Sequence, residues 1–199
     1  MIPEKAYAIS CDRNSEPILE VFKKKLQGRK ALLEIGSGTG QHAIFMAAAL
    51  SHLTWTLTDR EENHEAIKQW LFDYPRVNLR GPLEYDLEKN DFPSGDFDTV
   101  FTSNTLHIVK WELVLKMFDH VSQALPQDGM FLIYGAFNYN GKFTSESNER
   151  FEKWLKDRDP LSGIRDFEKV NEELSQRGLD LQEDVEMPAN NRMLVFVKK

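Results

Sequence analysis

Residues 31–40, Ala-Leu-Leu-Glu-Ile-Gly-Ser-Gly-Thr-Gly, leave few folds open to the chain. Five residues of strand character run into three glycines at alternate positions, and an alanine-rich helical stretch, 41–50, follows at once. Glycines at a strand-to-helix bend let backbone approach a ligand closely, and the helix start offers unpaired N–H groups. The alternation of strand and helix continues along the chain. Residues 55–58 read as a strand ending at Asp59, 61–72 as a helix, and 77–79 and 97–101 as further strands. Trp111, Val114, Phe118, Val121 and Leu125 mark one helical face, which Pro126 and Gly129 end; 130–134 is then an apolar strand.

Both ends of the chain depart from this rhythm. Ser15-Glu16-Pro17 reads as a helix start, with Ile18, Val21, Phe22 and Leu26 at helical spacing and Gly28 as the stop. Residues 1–16 are therefore expected to be a non-helical leader, and 17–199 one continuous domain. Thr144-Ser145 precedes a helix bearing Phe151, Trp154 and Leu155, and Asp166 precedes one bearing Phe167, Val170 and Leu174. Residues 179–186 and 192–197 are strands joined only by Pro188-Ala189-Asn190-Asn191, too short a link for a crossover, so the pair should be antiparallel. The expectation is an α/β fold: a seven-stranded, mostly parallel sheet with an antiparallel C-terminal edge pair and helices on both faces.

Composition excludes several function classes. The net charge of −7 argues against a phosphate-backbone partner, so no nucleic acid is expected and a small-molecule substrate is preferred. No apolar run suits a membrane span, the first residues lack the pattern of an export signal, and Cys11 is the only cysteine; a cytoplasmic protein is expected. The five histidines, 42, 52, 64, 107 and 120, form no H-x-x-x-H pair, so no metal site is expected. Ser37 lacks a G-x-S-x-G elbow and Cys11 lacks a visible partner for thiol chemistry. The oligomeric state is left open.

The glycine loop discriminates between ligands. A dehydrogenase wants G-x-G-x-x-G, whereas here the third glycine, Gly40, comes one residue early and Gln41 fills the slot reserved for Gly or Ala. Glu34 stands two residues before Gly36, and such a carboxylate suits a cationic ligand better than a pyrophosphate. Asp59 ends the second strand, where an acid can accept both ribose hydroxyls, or else cap the helix that begins at Glu61.

Leu33-Glu34-Ile35-Gly36-Ser37-Gly38-Thr39-Gly40 resembles motif I of class I S-adenosylmethionine (SAM)-dependent methyltransferases, a Rossmann-like fold. The resemblance implies SAM as cofactor, with the backbone at Gly36, Ser37, Gly38 and Gly40 beneath it and Glu34 ordering its amino-acid end. Asp59 with Arg60 would lie at the ribose, and Asp86 with Leu87 at the adenine. After the fourth and fifth strands, Asn104 would position SAM or substrate, His107 is the candidate base, and Tyr134 and Phe137 are candidate walls of the acceptor pocket. A narrower resemblance spans nearly the whole chain, through Arg13-Asn14, Gly40-Gln41-His42, Asn104 with His107-Ile108, Tyr134-Gly135, Ser147-Asn148, Gly163-Ile164-Arg165-Asp166 and Met187-Pro188-Ala189-Asn190-Asn191. These look like marks of the domain-of-unknown-function family 938, related to the methyltransferase-like 26 proteins; Ala136 stands where that group commonly has proline. Residues 1–16 are then expected to close over the cleft as a lid, with Arg13, Asn14, Asn190 and Asn191 lining the acceptor pocket. Arg13 and Arg165 also read as plain surface charges, and Asn190 and Asn191 as turn formers. Two other readings are a SAM-binding sensor without turnover and an NAD(P)-dependent oxidoreductase, for which Arg60 beside Asp59 would suit a phosphate.

Overall fold

A computed structural model describes residues 6–199, which form two compact units, one running to Thr99 and one from Val100. No helix among the described residues is long and apolar enough to cross a membrane.

The first unit is built on three parallel strands. They are β1 (Ala31–Ile35), β2 (Thr54–Asp59) and β3 (Leu79–Glu84), in the order β3-β2-β1. Trp55 and Leu57 of β2 and Leu32, Leu33 and Ile35 of β1 are buried, as expected of strands covered on both faces. β3 runs longer than the sequence suggested. Its Pro82 carries no N–H, which a strand paired on one side tolerates. Three helices complete the unit: α1 (Ile9–Lys25), α2 (Gln41–Ala49) and α3 (His64–Asp73), the last preceded by a 3-10 turn at Glu61–Asn63.

The start of α1 corrects the sequence reading. Ile9 to Glu16 are already helical, and Pro17 lies inside the helix. Ser15 does not cap. Its hydroxyl donates back to the Cys11 carbonyl at 2.6 Å, one turn earlier. Upstream, the Ala8 N–H donates to Gln41 Oε1 at 2.6 Å and the Ala6 carbonyl accepts from Trp70 Nε1 at 2.8 Å. Tertiary bonds thus extend a helix that local propensity would begin six residues later. The expected leader is helical from Ile9 on, and residues 1–5 of it lie outside the described residues.

In the second unit the order is β4-β5-β8-β7, for β4 (Thr99–Ser103), β5 (Met130–Asn138), β7 (Leu179–Met187) and β8 (Asn191–Lys198). β8 runs antiparallel to both β5 and β7, as the short link required. Ala189 and Asn190 both take left-handed backbone in that link, the tight geometry that closes it. Two-residue β6 (Arg165–Asp166) lies parallel to the end of β5, an eighth strand where seven were expected. β5 continues four residues past the anticipated stop at Tyr134, because β8 and then β6 pair with its last residues. The helices are α4 (Trp111–Ala124), α5 (Glu146–Arg158) and α6 (Phe167–Gln176). Ser145 caps α5, its hydroxyl accepting from the Asn148 N–H at 3.2 Å.

Candidate active site

In the first unit, the carboxyl ends of the three parallel strands bring the expected cofactor residues together. Gly36, Gly38 and Gly40 all have positive φ, at 73°, 58° and 82°, so each bend is one that side chains resist. Two of the three differ in what surrounds them. A Cβ on Gly40 would touch Ile67 and Leu57 at 3.4 Å, whereas a Cβ on Gly38 would meet nothing within 4 Å. Gly40 therefore closes helix-to-strand packing, and Gly38 presents bare backbone to open space.

Glu34 braces this loop from beneath. It is 1% exposed, and its Oε2 accepts from Trp55 Nε1 and Ser37 Oγ, each at 3.0 Å. Ser37 Oγ also accepts from the Thr58 N–H, which ties the loop to β2. Burial, opposed by those two hydrogen bonds, pushes the Glu34 carboxyl up to about 7. Trp55 had no signal in the sequence that could single it out.

Asp59 is the junction of the site. Its Oδ2 accepts from the Gly38 N–H at 2.7 Å, and its Oδ1 accepts from the Arg60 N–H and from Asn63 Nδ2. Three bonds leave capacity on a carboxylate with about four lone-pair positions. Its carbonyl accepts from the Tyr85 N–H at 2.9 Å, which places Asp59 within two residues of Asp86. Asp86 is held below the usual carboxylate range by the Glu88 N–H and by Lys89, and Leu87 beside it is buried. Arg60 pairs with Glu62 on the surface. Asn63 was not anticipated, although an amide four residues after a strand-end acid is a spacing that could have found it.

The first turns of α1 adjoin the same loop. The Cys11 thiol bonds Thr39 and is pushed up to about 11 by burial and by Glu34. Asn14 is buried on α1 and Arg13 is exposed.

The second unit assembles a different cluster around His107. Asn104, in left-handed backbone after β4, accepts from His107 Nε2 at 3.1 Å on its Oδ1 and donates to Ser103 from Nδ2. The imidazole lies against Gly135, where a Cβ would come within 2.4 Å of His107 Cε1, and edge-on to Phe151. Burial foremost, and the Arg165 charge, hold His107 down at about 4, so the ring is neutral near pH 7. Because strand residues alternate faces, Tyr134 points away from the face of Gly135 and Phe137, and does not join Phe137 in one wall. The Tyr134 hydroxyl lies beside Asn191, with burial raising it to about 12. Asn190 is the turn former of the β7–β8 link. Its carbonyl accepts from Asn148 and its amide donates to Ser147. Arg165, read from sequence as a surface charge, is half-buried and spends its guanidinium on the backbone carbonyls of Leu106, Val109 and Leu161.

Comparison with known proteins defines the class first. The chain has the Rossmann-like α/β fold of class I methyltransferases, mostly parallel with an antiparallel C-terminal pair. An O-methyltransferase family protein from Burkholderia thailandensis superposes with a TM-score of 0.82 at 14% identity, over 93% of this chain and 56% of that one. Human N-acetylserotonin methyltransferase in complex with SAM gives 0.80 at 16% identity, over 95% of this chain and 52% of that one. A curated "Putative methyltransferase" of Geobacillus sp. (strain WCH70) is 28% identical over 106 residues, 53% of this chain and 42% of its relative. The chain thus spans about half the length of the proteins it resembles. More narrowly, it belongs to the family of proteins of unknown function DUF938, whose model matches residues 5–198.

Proposed function

We propose that this chain is a SAM-dependent methyltransferase acting on a small-molecule acceptor. The observation that carries the reading is the joining of Gly38 and Asp59: bare, positive-φ backbone whose N–H is tied to a carboxylate with lone pairs to spare. Gly36, Ser37, Gly38 and Gly40 would carry the methionine and ribose portions, Asp59 the ribose hydroxyls, and Asp86 with Leu87 the adenine. Arg60, occupied with Glu62, would be a neighbour rather than a ligand. Glu34 would act mainly by holding the loop's shape.

SAM, when bound, supplies an electrophilic methyl group on a sulfonium. Transfer of a methyl group is an in-line displacement, so alignment and exclusion of water supply much of the rate. An acceptor oxygen that carries a proton must also lose it, and His107, neutral near pH 7, is the group available to take it. The name of the Burkholderia relative supports an oxygen acceptor, and the SAM complex of the human relative supports the cofactor. The first turns of α1, tied down through Ala8–Gln41 and Cys11–Thr39, would serve as the lid over the glycine loop.

Calorimetry with SAM, its demethylated product, NADH and NADPH tests the reading. Heat is expected with the first two only; binding of a nicotinamide cofactor without SAM would replace the proposal with an oxidoreductase. Labelled SAM with fractionated small-molecule extracts then separates an enzyme from a sensor, since a sensor yields no methylated product.

A further inference from the structure

Four consecutive carbonyls around His107 are all claimed by one short segment. Leu106 O accepts from Arg165 Nε at 2.9 Å, and His107 O from the Gly163 N–H at 2.9 Å. Ile108 O accepts from Ser162 Oγ at 2.7 Å, and Val109 O from Arg165 Nη2. The segment is itself anchored, because the Ile164 N–H donates to Glu152 Oε2 at 2.6 Å. Gly163 suits its place: its φ is 156°, and a Cβ there would crowd the Glu152 carboxylate at 3.0 Å. A guanidinium reaches Leu106 and Val109 at once because its donors form a rigid fork, which an ammonium cannot imitate.

The side chain of His107 is fixed as firmly as its backbone. Asn104 Oδ1 can only accept, so Nε2 must carry the proton. The neutral ring then has its lone pair on Nδ1, a buried atom with no partner. Leaving a buried acceptor unsatisfied costs free energy, and such groups call for an explanation.

We infer that Arg165 is a positioning residue, which with Ser162 and Gly163 holds residues 106–109 so that His107 keeps its free lone pair on Nδ1. This inference rests on the reading of His107 as the proton acceptor above. In the step, the acceptor's proton passes to Nδ1, and the imidazolium formed keeps its Nε2–H on Asn104. The charged groups around the ring are few. Arg165 bears on it directly, Glu152 of α5 and Glu112 of α4 bear on Arg165, and Phe151, Gly135 and Asn104 carry no charge.

Nitrogen-15 NMR of histidine-labelled protein tests the assignment without a known acceptor. The wild type is expected to show Nε2 protonated and Nδ1 bare from pH 5 to 8, with a midpoint at about 4. In Arg165→Met the two nitrogens should share the proton and the midpoint should move toward the ordinary ~6.5. Should that variant fail to fold, Ser162→Ala removes only the Ile108 bond, and a smaller change in the same direction is expected. A brace that merely stabilises the fold would lower the melting temperature and leave the His107 signals in place. Unchanged signals in either folded variant, or a protonated Nδ1 in the wild type, overturn the inference. SAM calorimetry on the same samples keeps the two readings apart. A wild type that binds no SAM removes the methyltransferase proposal, while the nitrogen signals still report on Arg165.

Discussion

The two units hold their candidate residues by opposite chemistry. In the first, carboxylates bind backbone N–H groups: Asp59 takes Gly38 and Arg60, and Asp86 takes Glu88. In the second, donors bind backbone carbonyls: Arg165, Gly163 and Ser162 take residues 106–109. The first arrangement leaves bare amide backbone and negative charge facing a ligand, which suits a cationic nucleoside. The second leaves one neutral nitrogen base. The two also answer pH in opposite directions. Glu34 has a folded pKa raised from about 4.5 to about 7, so its contribution is present below pH 4.5 and is lost as pH rises toward 7. His107 has a folded pKa lowered from 6.5 to about 4, so stability is present above pH 6.5 and is lost as pH falls toward 4; His42, buried on α2, adds the same sign.

That contrast can be broken or sharpened by substitution. The largest effect is expected at Asp59. Asp59→Ala should weaken SAM binding about 100-fold by calorimetry, roughly 3 kcal/mol, because both a charged acceptor and the Gly38 anchor are lost. It should leave the His107 titration unchanged, and a shifted titration would mean that the two clusters are not separate systems. Glu34→Gln should flatten the alkaline decline of stability, worth at most about 3 kcal/mol between pH 4.5 and 7, in urea melts across pH. A decline that persists would move its cause away from Glu34.

Gly135→Ala should destabilise by about 2 kcal/mol, because the new methyl group meets the His107 ring, with SAM affinity unchanged. Equal loss of SAM affinity would contradict the assignment of the cofactor to the first unit. Gln41→Ala, which frees Ala8 and Thr39, should cost about 1 kcal/mol, close to fivefold in SAM affinity, if the start of α1 covers the loop. Arg60→Ala should change SAM affinity by less than about twofold, since an exposed pair such as Arg60–Glu62 is worth little.

The sequence by itself determined what depends on near neighbours along the chain. The glycine loop, the strand-end position of Asp59 and the antiparallel close through 188–191 follow from local conformational rules. A glycine run can bend only there, and a four-residue link cannot cross a sheet. Tertiary structure alone decided the rest. Pro17 sits inside a helix because bonds to Gln41 and Trp70 hold the segment before it, and Arg165 left the surface for carbonyls 56 and 59 residues away. Tyr134 and Phe137 parted because a strand turns its residues to alternate faces. Contacts formed across such sequence distances leave no periodicity or spacing to read, so which lone pair His107 keeps was settled only when the chain had folded.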